Sequence, residues 1–409
     1  MAPNRLGAKE AARLLERGEL GLDALLGACR RRIAEREPQL HAWTALAADS
    51  PQRARGPLFG VPIGVKDIFD THDLPTEYGS PIYAGYRPRT DAAVVALARR
   101  AGATIFGKTV TAEFATFVPR ATRNPRNLAH TPGGSSSGSA AAVADDMVPL
   151  ALGTQTAGSL IRPASYCGVV GYKPSFGVLA RGGTKAQADS LDTIGIFARS
   201  VQDAGWLAAA LTGRAALDAA PTKPARIGLC RTNESDRVEP PMRAALEDAG
   251  RQLAATEVTL PQRFAGLRES HSAILWYELA RSMADEYERF PEKLDPRLRE
   301  ACAQGFRVDP EKYAQAQRHA MDCRAHIDEA FVGCDVLLAP SATGEAPEGI
   351  DSTGDVALNV VWTLLHVPCV SIPVARGPKG LPLGLQVIGR IGEDARTLAA
   401  AAWIEARLS

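Results

Sequence analysis

The stretch GGSSSGSAAAV, Gly133 to Val143, holds three serines between glycines and runs straight into alanines. Ser139 to Ala144 therefore opens a helix directly out of a small-residue loop. Met147 to Leu152 follows as an apolar strand. It leads into TAGSLIRPA, Thr156 to Ala164, where Ser159 stands behind a threonine, an alanine and a glycine. Upstream, Leu58 to Val65 reads as a buried strand with Lys66 at its end, in the run GVKD, Gly64 to Asp67. Strands alternating with helices imply an α/β sheet. Ser135, Ser159 and Lys66 are the reactive side chains that its loops present.

Working outward, residues 8–17 and 22–36 show helical spacing of Leu, Ile and Ala. Asp91 to Arg100 reads as a helix with Gly102 just past its end, and Ala103 to Phe106 as a short strand. Ser200 to Leu211 is a helix with Ser200 as its N-cap. From about 215 to 330 the texture changes. Charged helical stretches near 240–255, 268–290 and 311–331 alternate with proline-bearing turns, a peripheral and mostly helical portion that shapes access. Strands return at Val336–Ala339, Cys369–Val374 and Leu385–Ile388, before a final helix from Asp394 to Leu408. The expectation is one large α/β domain over 1–409, a mixed β-sheet covered by helices on both faces. Its core is 56–212 and 335–409.

Composition narrows the function. A net charge of +1 leaves no global field to attract nucleic acid or an anionic membrane. No segment approaches the ~20 apolar residues of a membrane span, and no N-terminal stretch has the make-up of a signal peptide. Seven scattered cysteines (Cys29, Cys167, Cys230, Cys302, Cys323, Cys334, Cys369) form no C-x-x-C pair. That favours reduced thiols and a cytoplasmic protein over a disulfide framework. None of the histidines shows a metal-ligand spacing, and neither a metal nor an organic cofactor is expected.

Amide hydrolysis needs a nucleophile, a proton path to the leaving nitrogen and donors for the oxyanion. Serine is a poor nucleophile until a base takes its proton. A lysine kept neutral by burial can be that base. Ser159 is the stronger nucleophile candidate, because main-chain N–H groups at Thr156, Ala157 and Gly158 can form an oxyanion hole. Ser135 would then relay the proton between Ser159 and Lys66. Chemistry permits these roles without spacing forcing them. Read alone, Lys66 is a surface lysine at a strand end, as most lysines are, and without the later motif the Ser135 loop reads as a flexible turn or an anion-binding loop before a helix.

Taken together and in this order, GGSSSGSAAAV, GTQTAGS (Gly153 to Ser159) and SLDTIG (Ser190 to Gly195) resemble the core motifs of the amidase signature family, in particular its short, malonamidase-like members. The 24-residue separation of Ser135 and Ser159 agrees with that pattern. The resemblance is strong over about 56–212 and loose at the ends. It implies the amidase signature fold and a Ser–cis-Ser–Lys triad: Ser159 as acyl-enzyme nucleophile, Ser135 as relay through a cis Gly134–Ser135 bond, Lys66 as base. It also implies an amidase acting on linear, non-peptide amides.

This chain departs from the family at several positions. Ser137 and Ala157 stand where glycine is usual, and Gln155 where aspartate is usual. Ile161 replaces the usual arginine, and Arg162 comes one position later. A displaced arginine suggests a substrate contact, since guanidinium binds carboxylates bidentately, and hence a small amide that also bears a carboxylate. The competing reading pairs Arg162 internally with Asp192.

Rival functions are decided by context. GATIFGKT, Gly102 to Thr109, satisfies the phosphate-loop pattern letter for letter, but a helix precedes it and Ala103 to Phe106 reads as strand. GSSSG, Gly134 to Gly138, fits the nucleophile elbow of an esterase with Ser136. It lacks a preceding strand, and His271, His319, His326 and His366 stand in ordinary surroundings. Some relatives work as the amidase subunit of an amidotransferase complex. This chain is short for that role and has no basic face, so a free-standing amidase for a small-molecule amide is preferred, with a homodimer left open.

Overall fold

The strands Leu150–Gln155 and Val336–Pro340 are near-continuous apolar runs, buried at every position, and successive side chains point to opposite faces, which builds a core on each face of one sheet. In the computed structural model, which describes residues 2–48 and 54–408, Leu150 and Leu152 pack into one core and Ala151 into the other. Val336 and Leu338 part from Leu337 and Ala339 in the same way.

The strands are β1 (Trp43–Leu46), β2 (Pro62–Lys66), β3 (Thr104–Thr109), β4 (Leu150–Gln155), β5 (Val170–Lys173) and β6 (Thr193–Ala198). They continue with β7 (Ile227–Cys230), β8 (Thr256–Val258), β9 (Val336–Pro340), β10 (Cys369–Arg376) and β11 (Pro382–Ile388). Their order is β1-β3-β2-β4-β6-β5-β10-β11-β9-β7-β8. β3, β2 and β4 run parallel on one side and β9, β7 and β8 on the other. The strands between pair antiparallel, so the sheet is mixed.

Helices cover both faces, as expected. Ala93–Arg100, Val201–Thr212, Pro240–Leu253 and Asp394–Leu408 pack on one side. Leu22–Leu40, Ser137–Ala144, Ile161–Cys167 and Ala357–Leu364 pack on the other. Ser200 caps its helix, accepting from the Asp203 N–H.

Some local expectations shift. The segment from 215 to 330 is helical for most of its length, but it also supplies β7 and β8 to the sheet edge. Both are too short to carry a period: β7 is four buried residues, and β8 is largely exposed. The strand expected from Leu58 begins only at Pro62, because residues 57–60 form a turn and Gly60 has φ +74°. GATIFGKT holds no loop between its glycines of the kind a phosphate needs: Gly102 closes a turn and Thr104–Thr109 is β3, buried throughout. Among the described residues, no helix is long and apolar enough to cross a membrane.

Candidate active site

β2 and β4 lie side by side in parallel, with Val65 opposite Leu152. Lys66 is the last residue of β2, and its side chain is wholly buried. The Lys66 Nζ lies 2.8 Å from Ser135 Oγ and donates to Thr154 Oγ1 on β4 at 2.6 Å. Among the described residues, no carboxylate pairs with it. Burial pushes the ammonium down to about 7, against the opposing pull of the Asp192 charge. Lys108, on the neighbouring strand β3, is the contrast. It is equally buried but forms an ion pair with Asp67 at 3.0 Å and donates to the Phe69 carbonyl and the Thr76 hydroxyl.

Ser135 follows a cis Gly134–Ser135 peptide bond. The helix Ser137–Ala144 begins two residues later and is pressed hard against the strand ends. A Cβ on Gly138 would lie 2.2 Å from the Ala42 carbonyl oxygen, so only glycine fits there. Ser136 is locked by its hydroxyl, which donates to the Thr154 carbonyl at 3.2 Å and accepts from the Thr154 N–H at 3.3 Å. A hydroxyl held between main-chain groups, and bonded to no histidine among the described residues, does not suit an esterase nucleophile.

Ser159 is 7% exposed, and among the described residues its hydroxyl has no hydrogen-bond partner. The Ser136 N–H donates to the Ser159 carbonyl at 3.3 Å, which ties the two serine loops together. The other carbonyls of this turn are engaged as well. Thr156 C=O meets His271 Nε2 at 2.9 Å, Ala157 C=O accepts from Thr363 Oγ1 at 2.7 Å, and Gly158 C=O accepts from the Arg162 N–H at 3.1 Å. Among the described residues, the N–H groups of Ala157, Gly158 and Ser159 have no acceptor. A turn with its carbonyls tied back and its N–H groups free suits a developing oxyanion.

A protein-family model described as Amidase matches residues 28–398. The chain belongs to the amidase signature family. Among its relatives is the A-type subunit of the glutamyl-tRNA(Gln) amidotransferase of Anaeromyxobacter sp. (strain K), 33% identical over 99% of this chain and 96% of its own. That alignment runs over 480 positions against 409 residues here, so the relative carries internal segments that this amidase lacks. The crystal structure of an amidase superimposes with a TM-score of 0.91 at 31% identity, covering 99% of this chain and 100% of that one. A 6-aminohexanoate cyclic dimer hydrolase complexed with substrate gives 0.88 at 26% identity, covering 98% and 97%. Like its family, this amidase acts on carbon–nitrogen amide bonds.

Arg162 of this amidase is 1% exposed and does not pair with Asp192. Its Nη2 donates to the Gly134 carbonyl at 2.6 Å, on the residue before Ser135. Among the described residues, its Nε and Nη1 are buried without a partner. Burial lowers the guanidinium to about 10, so it stays charged at neutral pH. Asp192 instead accepts from the Thr156 hydroxyl at 2.5 Å and from the N–H groups of Gln187 and Ala188. Burial raises it to about 6. A cavity of about 140 Å³, lined in part by Thr154, Thr156, Gln187 and Asp192, lies along this wall. A larger cleft, about 1220 Å³, between the helices Ala8–Glu16 and Val201–Thr212, includes none of these residues.

Around the site, Thr154 and His271 escaped the sequence reading, and the role of Gln155 was not legible in it. Thr154 was hidden inside an apolar strand, although its place in GTQTAGS was a usable signal. His271 stands on a helix, Leu267–Ser282, as expected, but it is buried against the Thr156 carbonyl. Gln155 accepts from the N–H groups of Leu160 and Ile161 with Oε1 and donates to Thr363 with Nε2. An aspartate in its place has no such donor.

Proposed function

We infer that this amidase hydrolyses a small linear amide through an acyl-enzyme on Ser159, with Ser135 as proton relay and Lys66 as base. The observation that carries this reading is the Lys66 amine, buried, free of any carboxylate and 2.8 Å from Ser135 Oγ. With the amine neutral, the Ser135 hydroxyl donates to it across that distance while Nζ–H holds Thr154. Ser159 Oγ attacks the carbonyl carbon, and its proton passes through Ser135 to Lys66. The oxyanion settles on the free N–H groups of the Ala157–Ser159 turn, Thr156 and its neighbours supplying the scaffold. The proton returns along the same path to the leaving nitrogen, and water then repeats the sequence on the ester.

Arg162 supports a narrower substrate class, an amide that also bears a carboxylate. Two of its buried donors, Nε and Nη1, have no partner among the described residues, and a charge-assisted hydrogen bond to a carboxylate would satisfy one of them. The seven free, buried cysteines support a reducing, cytoplasmic setting. A role within an amidotransferase complex is favoured by the name of the 33% identical relative. Ammonia release from free small amides by the isolated chain separates the two.

The test is Ser159→Ala. It should abolish ammonia release from a panel of small amides while leaving the melting transition unchanged. Adding hydroxylamine to the wild type should divert product to the hydroxamate, the mark of an acyl intermediate. Turnover retained in the alanine variant moves the nucleophile elsewhere.

A further inference from the structure

We propose that His271 is a positioning residue for the oxyanion hole, acting through the main chain of the Thr156–Ala157 peptide. In a planar trans peptide the C=O of one residue and the N–H of the next point in opposite directions. Whatever holds the Thr156 carbonyl therefore aims the Ala157 N–H. His271 Nε2 holds it at 2.9 Å, from the helix Leu267–Ser282 of the 215–330 segment. Facing a carbonyl oxygen, Nε2 must carry the proton, which assigns the tautomer. Burial lowers this imidazole to about 4, so it is a neutral donor at working pH.

The next peptide is aimed by a second device. Gln155 Nε2 donates to Thr363 Oγ1 at 2.9 Å, so that hydroxyl must spend its own proton elsewhere. The Ala157 carbonyl lies at 2.7 Å and the Asn359 carbonyl at 3.2 Å, and the shorter contact points to Ala157. That fixes the Ala157 carbonyl and with it the Gly158 N–H. Asn359 closes the turn from behind: a Cβ on Gly158 would lie 2.5 Å from Asn359 Oδ1. The glutamine that departs from the family pattern thus serves the same loop as the alanine that does. The histidine couples the helical segment to the peptide that carries the Ala157 N–H.

This inference rests on Ser159 as the nucleophile, and the experiment keeps the two apart. Phenylboronic acid forms a tetrahedral adduct when a serine oxygen adds to boron, its proton passing to the base, and places a boronate oxygen where an oxyanion forms. The adduct is followed by boron NMR on the full chain. Removing a single oxyanion donor commonly costs about 100- to 1000-fold in kcat. Misaiming one should cost less, about 10- to 100-fold in adduct affinity and in kcat for acetamide, with KM little changed. His271→Ala should show that loss. His271→Gln, whose Nε2 can take the place of the imidazole Nε2, should recover most of it. If His271 variants do not fold, Thr363→Val against Thr363→Ser makes the same comparison on the next peptide. Wild-type adduct affinity and kcat in His271→Ala overturn the proposal, as does a glutamine variant no better than alanine. Loss of the adduct in Ser159→Ala, alongside either result, leaves the nucleophile assignment standing. Its survival there removes that assignment instead.

Discussion

The Lys66 amine donates to the Thr154 hydroxyl across 2.6 Å, from the end of β2 to the adjacent parallel strand β4. That contact turns Nζ towards Ser135 without giving it a counter-charge. The consequence is a pH profile. With the amine lowered to about 7, kcat/KM should climb through pH about 7 as the base loses its proton and then level off. The Asp192 charge raises the amine's value, so Asp192→Asn should slide the rising limb towards acid. A rate independent of pH between 5 and 9 would remove Lys66 as the base.

An amine held this way destabilises the fold that holds it. The folded-state value lies below the ordinary lysine value of 10.5. Between about 7 and 10.5 the unfolded chain therefore binds a proton that the native state does not, and stability rises with pH across that window. Below about 7 the penalty is present in full, on the order of a few kcal/mol. Lys66→Met should abolish activity yet raise the melting temperature by several degrees at pH 6, with a gain that shrinks towards pH 10. Calorimetry at the two pH values checks it, and a lower melting temperature at pH 6 contradicts it.

Lys108 should behave in the opposite way. It is as buried as Lys66, but Asp67 sits 3.0 Å from its amine. Removing one partner of a buried pair strands the other charge, typically at roughly 3–5 kcal/mol. Lys108→Met and Asp67→Asn should each lower the melting temperature markedly. ATP with magnesium should give the wild type no protection, because Lys108 is committed to Asp67 and has no free amine for a phosphate. Protection by nucleotide would restore the phosphate-loop reading of Gly102 to Thr109.

What was legible in the sequence follows from what leaves a local mark. Small-residue loops carrying hydroxyls stand out, so Ser135 and Ser159 can be singled out from the sequence alone. Lys66 needed the resemblance as well, because a lysine at a strand end is otherwise common. His271 left no mark, since its partner is a main-chain carbonyl 115 residues away and any residue could supply that oxygen. Arg162 was visible as a displaced arginine, yet its partner was not: Asp192 was the obvious carboxylate, and the fold gives it to Thr156 and two backbone N–H groups instead. The phosphate-loop letters misled for a related reason. A motif is an arrangement of backbone, and here the same letters form a buried strand.

Arg162 permits a test that distinguishes substrate binding from support. One guanidinium nitrogen holds the Gly134 carbonyl, and the other two, both buried, have no partner among the described residues. If they receive a substrate carboxylate, Arg162→Ala loses both functions for a carboxylate-bearing amide but only the first for a neutral one. Hydrogen bonds to a charged group are worth roughly 1.5–3 kcal/mol each. The loss in kcat/KM for the amide of a dicarboxylic acid should therefore exceed that for acetamide by about 10-fold or more. Arg162→Lys restores charge without the fork, so it should recover the neutral substrate better than the acidic one. Equal losses on both substrates would mean that the guanidinium serves only the Gly134 peptide, and the carboxylate preference would fall with it.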